Sequence, residues 1–185
     1  MKNAILVLLT VFALASCKKE EAVLPKTTTA PAKASAVSSV QQDSIPDDAA
    51  LKIQLSKDST NTDETMFLFK HTAPLNYDGN NDADYFSGYG AVSLSSITPD
   101  GKDLSIYNLP YTSGMAIGLN VHTQADGTYY LKVSYKSKIP SNIQVWIKDT
   151  YLKDSVNVST GSYKFAVVKA DASTFGSKRF KLVIK

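Results

Sequence analysis

The sequence reads MAIGLNVHTQADGTYYLKVSYK over residues 115–136. Apolar and polar residues alternate in both halves of this stretch, which is the period of a strand with one buried face. The turn residues Asp126 and Gly127 separate the two halves. The stretch therefore predicts two strands, with inward residues Met115, Ile117, Leu119 and Val121 in the first and Tyr129, Leu131, Val133 and Tyr135 in the second.

The same alternation recurs from Leu51 to the end of the sequence. No stretch keeps apolar residues at helical spacing for three turns, and turn residues interrupt the runs. About eight to ten short strands predict an all-β domain over residues 51–185, an antiparallel β-sandwich with jelly-roll-like topology. The further runs lie at residues 51–55, 66–70, 91–94, 104–109, 143–147, 151–158, 162–168 and 180–184.

The amino-terminal residues have a different pattern. A short positive start is followed by an apolar run at residues 4–14, which is too short to span a bilayer as a helix, and then by two small residues. Residues 1–16 therefore predict a secretory signal peptide.

This signal ends in Leu-Ala-Ser-Cys at residues 14–17, which includes the only cysteine of the chain and resembles the lipobox of bacterial lipoproteins. The resemblance implies that the Cys17 thiol receives a diacylglyceryl group and that Cys17 becomes the first mature residue. Acyl chains anchor a protein by about 0.8 kcal/mol per buried methylene. We then expect a lipid-anchored protein of the bacterial outer membrane, facing the cell surface. The alternative is an ordinary cleaved signal beside a chance cysteine.

Residues 17–50 are rich in Pro, Thr, Ala and Ser and predict a disordered linker. The charged run at residues 18–21 resembles the signal that sends lipoproteins to the surface of bacteria with a type IX secretion system, and a solvated charge run is the alternative. Two Asp-Ser-aliphatic triplets resemble the O-glycosylation motif of the same bacteria. They make Ser44 and Ser155 candidate acceptors.

Several short motifs follow one another in the predicted domain. They are DET at 63–65, YD at 77–78, DADYF at 82–86, LSI at 104–106, LP at 109–110, GTY at 127–129 and VWIKD at 145–149. Their order resembles a β-sandwich module that is common in type IX secretion cargo, where it precedes a separate sorting domain. This sequence ends at Lys185 without such a domain. The resemblance implies the fold and no particular activity.

The charge balance bears on the class of partner. Removal of the signal takes Lys2 and leaves 19 Lys and Arg, one fewer than in the whole chain, against 17 Asp and Glu. Such a balance argues against nucleic acid as a partner. If Cys17 is acylated, no disulfide is available, and the domain must be stable through its core alone.

The sequence contains little catalytic chemistry. Its two histidines, His71 and His122, stand near no nucleophile or metal-binding motif, and we interpret them as solvated structural residues. Residues 86–90 lack the Gly-x-Ser-x-Gly spacing of a nucleophile elbow. We therefore predict no catalytic residue and no enzyme, while a carboxylate pair for glycoside hydrolysis stays open as a cryptic alternative.

One loop has oxygen donors at alternate positions. Asp78, Asn80, Asp82 and Asp84 have the spacing with which a tight loop wraps calcium, although Ala83 stands where an EF-hand-type loop has glycine. The alternative is an Asx-rich turn whose side chains bond to their own backbone. No cofactor other than calcium is indicated.

Two aromatic residues are predicted on outer faces. If Val145 and Ile147 point into the core, Trp146 points outward, and the same parity places Tyr130 outward. An outward ring can stack on a sugar, anchor a protein partner, or cover long side chains. The favoured function is a non-catalytic binding or scaffold module for a glycan or an envelope protein, and the alternative is a purely structural envelope subunit.

The anchor can be tested by substitution. Cys17→Ala should move the protein from the membrane fraction to the soluble fraction, because the sequence offers no other membrane-anchoring segment. Fractionation with a high-salt wash measures this. If the variant still sediments with membranes, the lipoprotein interpretation is wrong.

Overall fold

The computed structural model describes residues 44–88 and 90–185. The predicted signal peptide, Cys17 and most of the predicted linker lie outside the described residues. Within them no helix is long and apolar enough to cross a bilayer. The strands are β1 (Ala49–Ser56), β2 (Thr62–Phe69), β3 (Ala83–Asp84), β4 (Val92–Ile97), β5 (Asp103–Leu109), β6 (Met115–Thr123), β7 (Gly127–Ser137), β8 (Val145–Asp149), β9 (Asp154–Asn157), β10 (Ser162–Val167) and β11 (Gly176–Ile184), and one short 3-10 helix spans Ala172–Thr174.

The strands form one sheet that folds over on itself. Its order is β10-β7-β1-β2-β5-β4-β6-β11-β8-β9, and β3 pairs with β5. Strands β4 and β5 pair only at Ser96 and Ile97, and beyond that point they separate into two facing halves. The end strands β9 and β10 approach each other, so the sheet is nearly closed into a barrel-like sandwich. The predicted all-β sandwich is confirmed, and the parallel pairing of β2 with β5 is an addition that sequence reasoning did not anticipate.

The core lies between the two halves and is built from alternate residues of the strands. The predicted parity of β8 is confirmed, because Val145 and Ile147 are fully buried and Trp146 between them is not. The ordered domain begins upstream of Leu51, since Ile45 packs into the core and β1 starts at Ala49. The largest fully buried side chains include Tyr107, Tyr129, Phe67, Phe69, Phe180, Leu51, Ile53, Leu55 and Leu94.

The predicted inward position of Tyr135 is wrong. The pairing of β7 with β1 shifts by one residue, because Ile53 faces Val133 whereas Lys52 faces Tyr135. One extra residue in a strand reverses the face on which every later side chain lies. Tyr135 is consequently 48% exposed on the outer face.

A buried ion pair within one half of the sheet bonds to β10 of the other half. Arg179 of β11 donates from Nη2 and Nε to Asp149 Oδ2 of β8, at 2.8 and 3.0 Å. The Tyr163 hydroxyl of β10 donates to the same oxygen at 2.7 Å, and Arg179 Nη1 donates to the Ala166 carbonyl at 2.8 Å. Burial by itself would raise the pKa of Asp149, but the hydrogen bonds from Arg179 and Tyr163 outweigh it and hold that pKa below its usual value.

Removing one member of this pair should destabilise the fold strongly. We expect Arg179→Ala to cost about 3–5 kcal/mol of unfolding free energy, because it leaves the Asp149 carboxylate buried without its counter-ion. Urea denaturation measures the loss, and Lys178→Ala on the same strand is the exposed control. In the wild type, ionised Asp149 makes its full contribution to the free energy of unfolding at pH values above its unfolded-state pKa. That contribution is lost as pH falls through the lower folded-state pKa. Equal midpoints for the two variants would contradict the prediction.

Candidate functional site

A groove lies on the outer face of β4 and β6. In the pairing of these strands Ser93 faces His122 and Ser95 faces Asn120, while Leu94 between the serines points into the core. The groove has a volume of about 360 Å³. We call it the polar groove, and its lining residues are Tyr85, Ser87, Ser93, Ser95, Asp103, Asn120 and His122.

The floor of the polar groove is held by its own hydrogen bonds. Ser95 Oγ donates to Asp103 Oδ1 at 2.7 Å, and Asn120 Nδ2 lies 3.3 Å from both carboxylate oxygens. Three consecutive strands, β4, β5 and β6, therefore fix one carboxylate and one amide side by side. Because serine side chains are small, the floor stays below the larger rims at Tyr85 and His122.

One rim of the groove is fixed by Asp63, at the point where β4 separates from β5. Asp63 Oδ2 accepts from the Tyr85 hydroxyl and from the Leu94 N–H, both at 2.7 Å. The Leu94 N–H thus bonds to a carboxylate in place of a neighbouring strand. Burial, with the hydrogen bond to Asp63 adding to it, raises the pKa of Tyr85 to about 12.

The residue that follows this rim is Phe86, which is 85% exposed. Among the exposed large hydrophobic side chains of the described chain it is the most exposed. Its ring borders a shallow depression with Thr62, Glu64 and Gly88, next to the polar groove. The outer face therefore presents an aromatic ring beside a cluster of hydrogen-bonding groups.

The two aromatic residues singled out in the sequence are not part of this site. Trp146 lies partly buried on the outer face of β8, where its Nε1 donates to Gln144 Oε1 at 3.1 Å and Lys185 Nζ lies 4.3 Å from its ring centroid. Tyr130 lies partly buried on β7, in the other half of the sheet. Both residues have the predicted parity, but the fold does not bring them together.

The acidic loop has the geometry of the turn alternative. Asp82 accepts from the N–H groups of Asp78 and Asn108, both at 2.8 Å. The Asn81 amide and the Asn80 N–H bond to the Asp78 carboxylate and hold its pKa below the usual value. Asp84 lies in the short strand β3, and the described residues contain no group of three His, Cys, Asp or Glu side chains that could hold a metal ion.

The histidines and the candidate glycosylation sites are exposed. His71 contacts Asp47, with Nδ1 2.6 Å from Oδ2, at a second cavity of about 480 Å³. His122 forms a rim of the polar groove, so the two histidines lie at different sites. Ser44 and Ser155 are both exposed, as acceptors of a glycan must be.

Sequence reasoning missed the residues of the polar groove. A local signal exists at Ser93, because the predicted strand at residues 91–94 has a polar residue between two apolar ones. Nothing local connects it to Asp103 or Asn120. Comparisons of the chain with protein-family models, with curated proteins and with solved structures found no match. The groove and the fold therefore carry the functional argument.

The turn geometry of the acidic loop gives a further prediction. Melting temperatures should be the same in calcium and in chelator, because the carboxylates already bond within the loop. Asp82→Ala should cost about 1–3 kcal/mol, since it leaves two backbone N–H groups without their acceptor. Differential scanning fluorimetry measures both effects, with Asn80→Ala as the exposed control. A calcium-dependent rise in melting temperature would restore the metal interpretation.

Proposed function

We propose that this chain is a lipid-anchored protein of the bacterial outer membrane whose β-sandwich is a non-catalytic glycan-binding module. The polar groove is the binding site. The observation that carries the proposal is the convergence of carboxylate, amide, hydroxyl and imidazole side chains in one groove beside the exposed ring of Phe86.

The chemistry of the groove suits a sugar. A pyranose presents adjacent hydroxyl groups, each of which can donate and accept, together with an apolar face of C–H groups. The Asp103 carboxylate accepts from hydroxyls, and the Asn120 amide offers a donor and an acceptor within one planar group. The Phe86 ring supplies an apolar surface on which the C–H face can stack. A few placed polar groups beside an aromatic surface are typical of ligand sites.

The carboxylates favour binding over hydrolysis. Glycoside hydrolysis uses two carboxyl groups, one on each side of the scissile bond. Asp63, the other carboxylate at the rim, accepts from Tyr85, from Leu94 and from the Glu64 N–H, so its lone pairs are engaged in holding the fold. Asp103 accepts from Ser95 and Asn120, and because a carboxylate has about four lone-pair sites it can still accept from a ligand hydroxyl.

The location rests on the sequence pattern around Cys17. A lipid on that cysteine and a linker ahead of β1 would hold the sandwich near the membrane while leaving its outer faces accessible. A binding module presented in this way suits capture of a polysaccharide at the cell surface.

A glycan array followed by calorimetry tests the proposed site. The protein should bind a subset of neutral glycans, and Phe86→Ala and Asn120→Ala should each weaken binding by about tenfold, which corresponds to losing one or two hydrogen bonds or a stacking contact. Phe86→Ala should leave the melting temperature unchanged because the ring is exposed. Leu152→Ala, at another exposed apolar residue, is the control. An array without binding, or full affinity in Phe86→Ala, would refute the proposal.

A further inference from the structure

Two lysines lie directly opposite each other on the outer face of β8 and β11. Lys148 and Lys181 are cross-strand partners in this antiparallel pair, and both are exposed. Lys185 follows on the same face, where its ammonium group lies over the Trp146 ring. We call Trp146, Lys148, Lys181 and Lys185 together the lysine face.

Within residues 44–88 and 90–185, no acidic side chain forms an ion pair with the two opposed lysines. Asp154 is the acid of the neighbouring strand β9. Ser155 is the cross-strand partner of Lys148, and Asp154 has the opposite parity to Ser155. The Asp154 carboxylate accepts from the Ser155 N–H. The outward residues of β6, β8 and β9, and of β11 from Lys181 onward, are Ala116, Gly118, Asn120, His122, Trp146, Lys148, Ser155, Asn157, Lys181 and Val183.

This arrangement is unfavourable for the isolated protein. Like charges at directly opposed positions of an antiparallel pair destabilise a sheet. An anionic ligand that bridges the two ammonium groups would convert the repulsion into attraction. The charge pattern is therefore that of a surface complementary to an anion.

Trp146 acts here as a positioning residue. The cation–π contact at 4.3 Å holds the Lys185 ammonium beside the lysine pair, and the bond from Trp146 Nε1 to Gln144 fixes the ring. One face of the ring is thereby covered, which agrees with the interpretation of Trp146 as a cover for a long side chain.

We propose that the lysine face binds an anionic polysaccharide, at a site distinct from the polar groove. The face is an open surface, which suits an extended polymer. It also lacks any of the strongly exposed apolar side chains of the described chain, which are Leu75, Phe86, Tyr135, Tyr151, Leu152 and Val168. A protein that lies on a bilayer combines basic residues with inserted apolar ones, so the composition favours a polysaccharide over a lipid surface.

The test compares two double variants of the Cys17→Ala full chain. Lys148→Gln with Lys181→Gln removes the opposed pair, and Lys132→Gln with Lys164→Gln removes the same charge from the outer face of the other half. Affinity for polygalacturonate and heparin is measured by calorimetry over a series of salt concentrations. The first double variant should bind about tenfold more weakly and lose about one unit of salt slope per lysine, as for other contacts with polyanions. The second should bind as the wild type does.

Trp146 supplies an independent readout. Trp146→Phe should retain polyanion binding, because phenylalanine also supports a cation–π contact, and Trp146→Ala should lose part of it. Lys148→Gln should raise the melting temperature of the free protein, since it removes the like-charge pair.

Three results would overturn the proposal. They are equal losses in the two double variants, binding to anionic phosphatidylglycerol vesicles with none to the polysaccharides, and a lower melting temperature for Lys148→Gln. Phe86→Ala should leave polyanion binding unchanged. The proposal for the lysine face and the proposal for the polar groove can therefore be refuted independently.

Discussion

The closure of this sandwich depends on the buried carboxylate of Asp149. Its Oδ2 accepts from Arg179 and Tyr163, and its Oδ1 accepts from the N–H groups of Tyr151 and Leu152. A charge so deeply buried is tolerable only when every partner is present. The partners come from β8, β10 and β11, which belong to both halves of the sheet, so the network forms only when the halves have closed on each other.

The polar groove depends on the opening of the sheet between β4 and β5. Where β4 leaves β5, a backbone N–H loses its strand partner, and the Asp63 carboxylate replaces it. The same carboxylate holds Tyr85 and so positions the segment that carries Phe86. A structural requirement of the divided sheet thus positions Tyr85 at one rim, and a side chain positioned in advance loses less entropy when a ligand binds.

The outer face of one half carries two surfaces of different chemistry. The polar groove lies over β4 and β6, and the lysine face lies over β8 and β11. Gly118 lies between them, opposite Ile97 on one side and Lys181 on the other. One surface presents a carboxylate and an amide, and the other presents uncompensated ammonium groups. Two ligand chemistries can therefore be distinguished on one face of a single domain.

The sequence by itself determined most of the strands and their parity, except β3 and the part of β7 beyond its bulge. Alternation is a local property, and it placed Val145 and Ile147 inside and Trp146 outside. Only the tertiary structure decided which strands pair, including the parallel pair of β2 and β5, and where a bulge turns Tyr135 outward. The polar groove and the Asp149–Arg179 pair also belong to this second class, because their members lie on different strands and meet only through strand pairing. Strand partners are chosen by long-range packing of the whole core, and no local pattern records that choice.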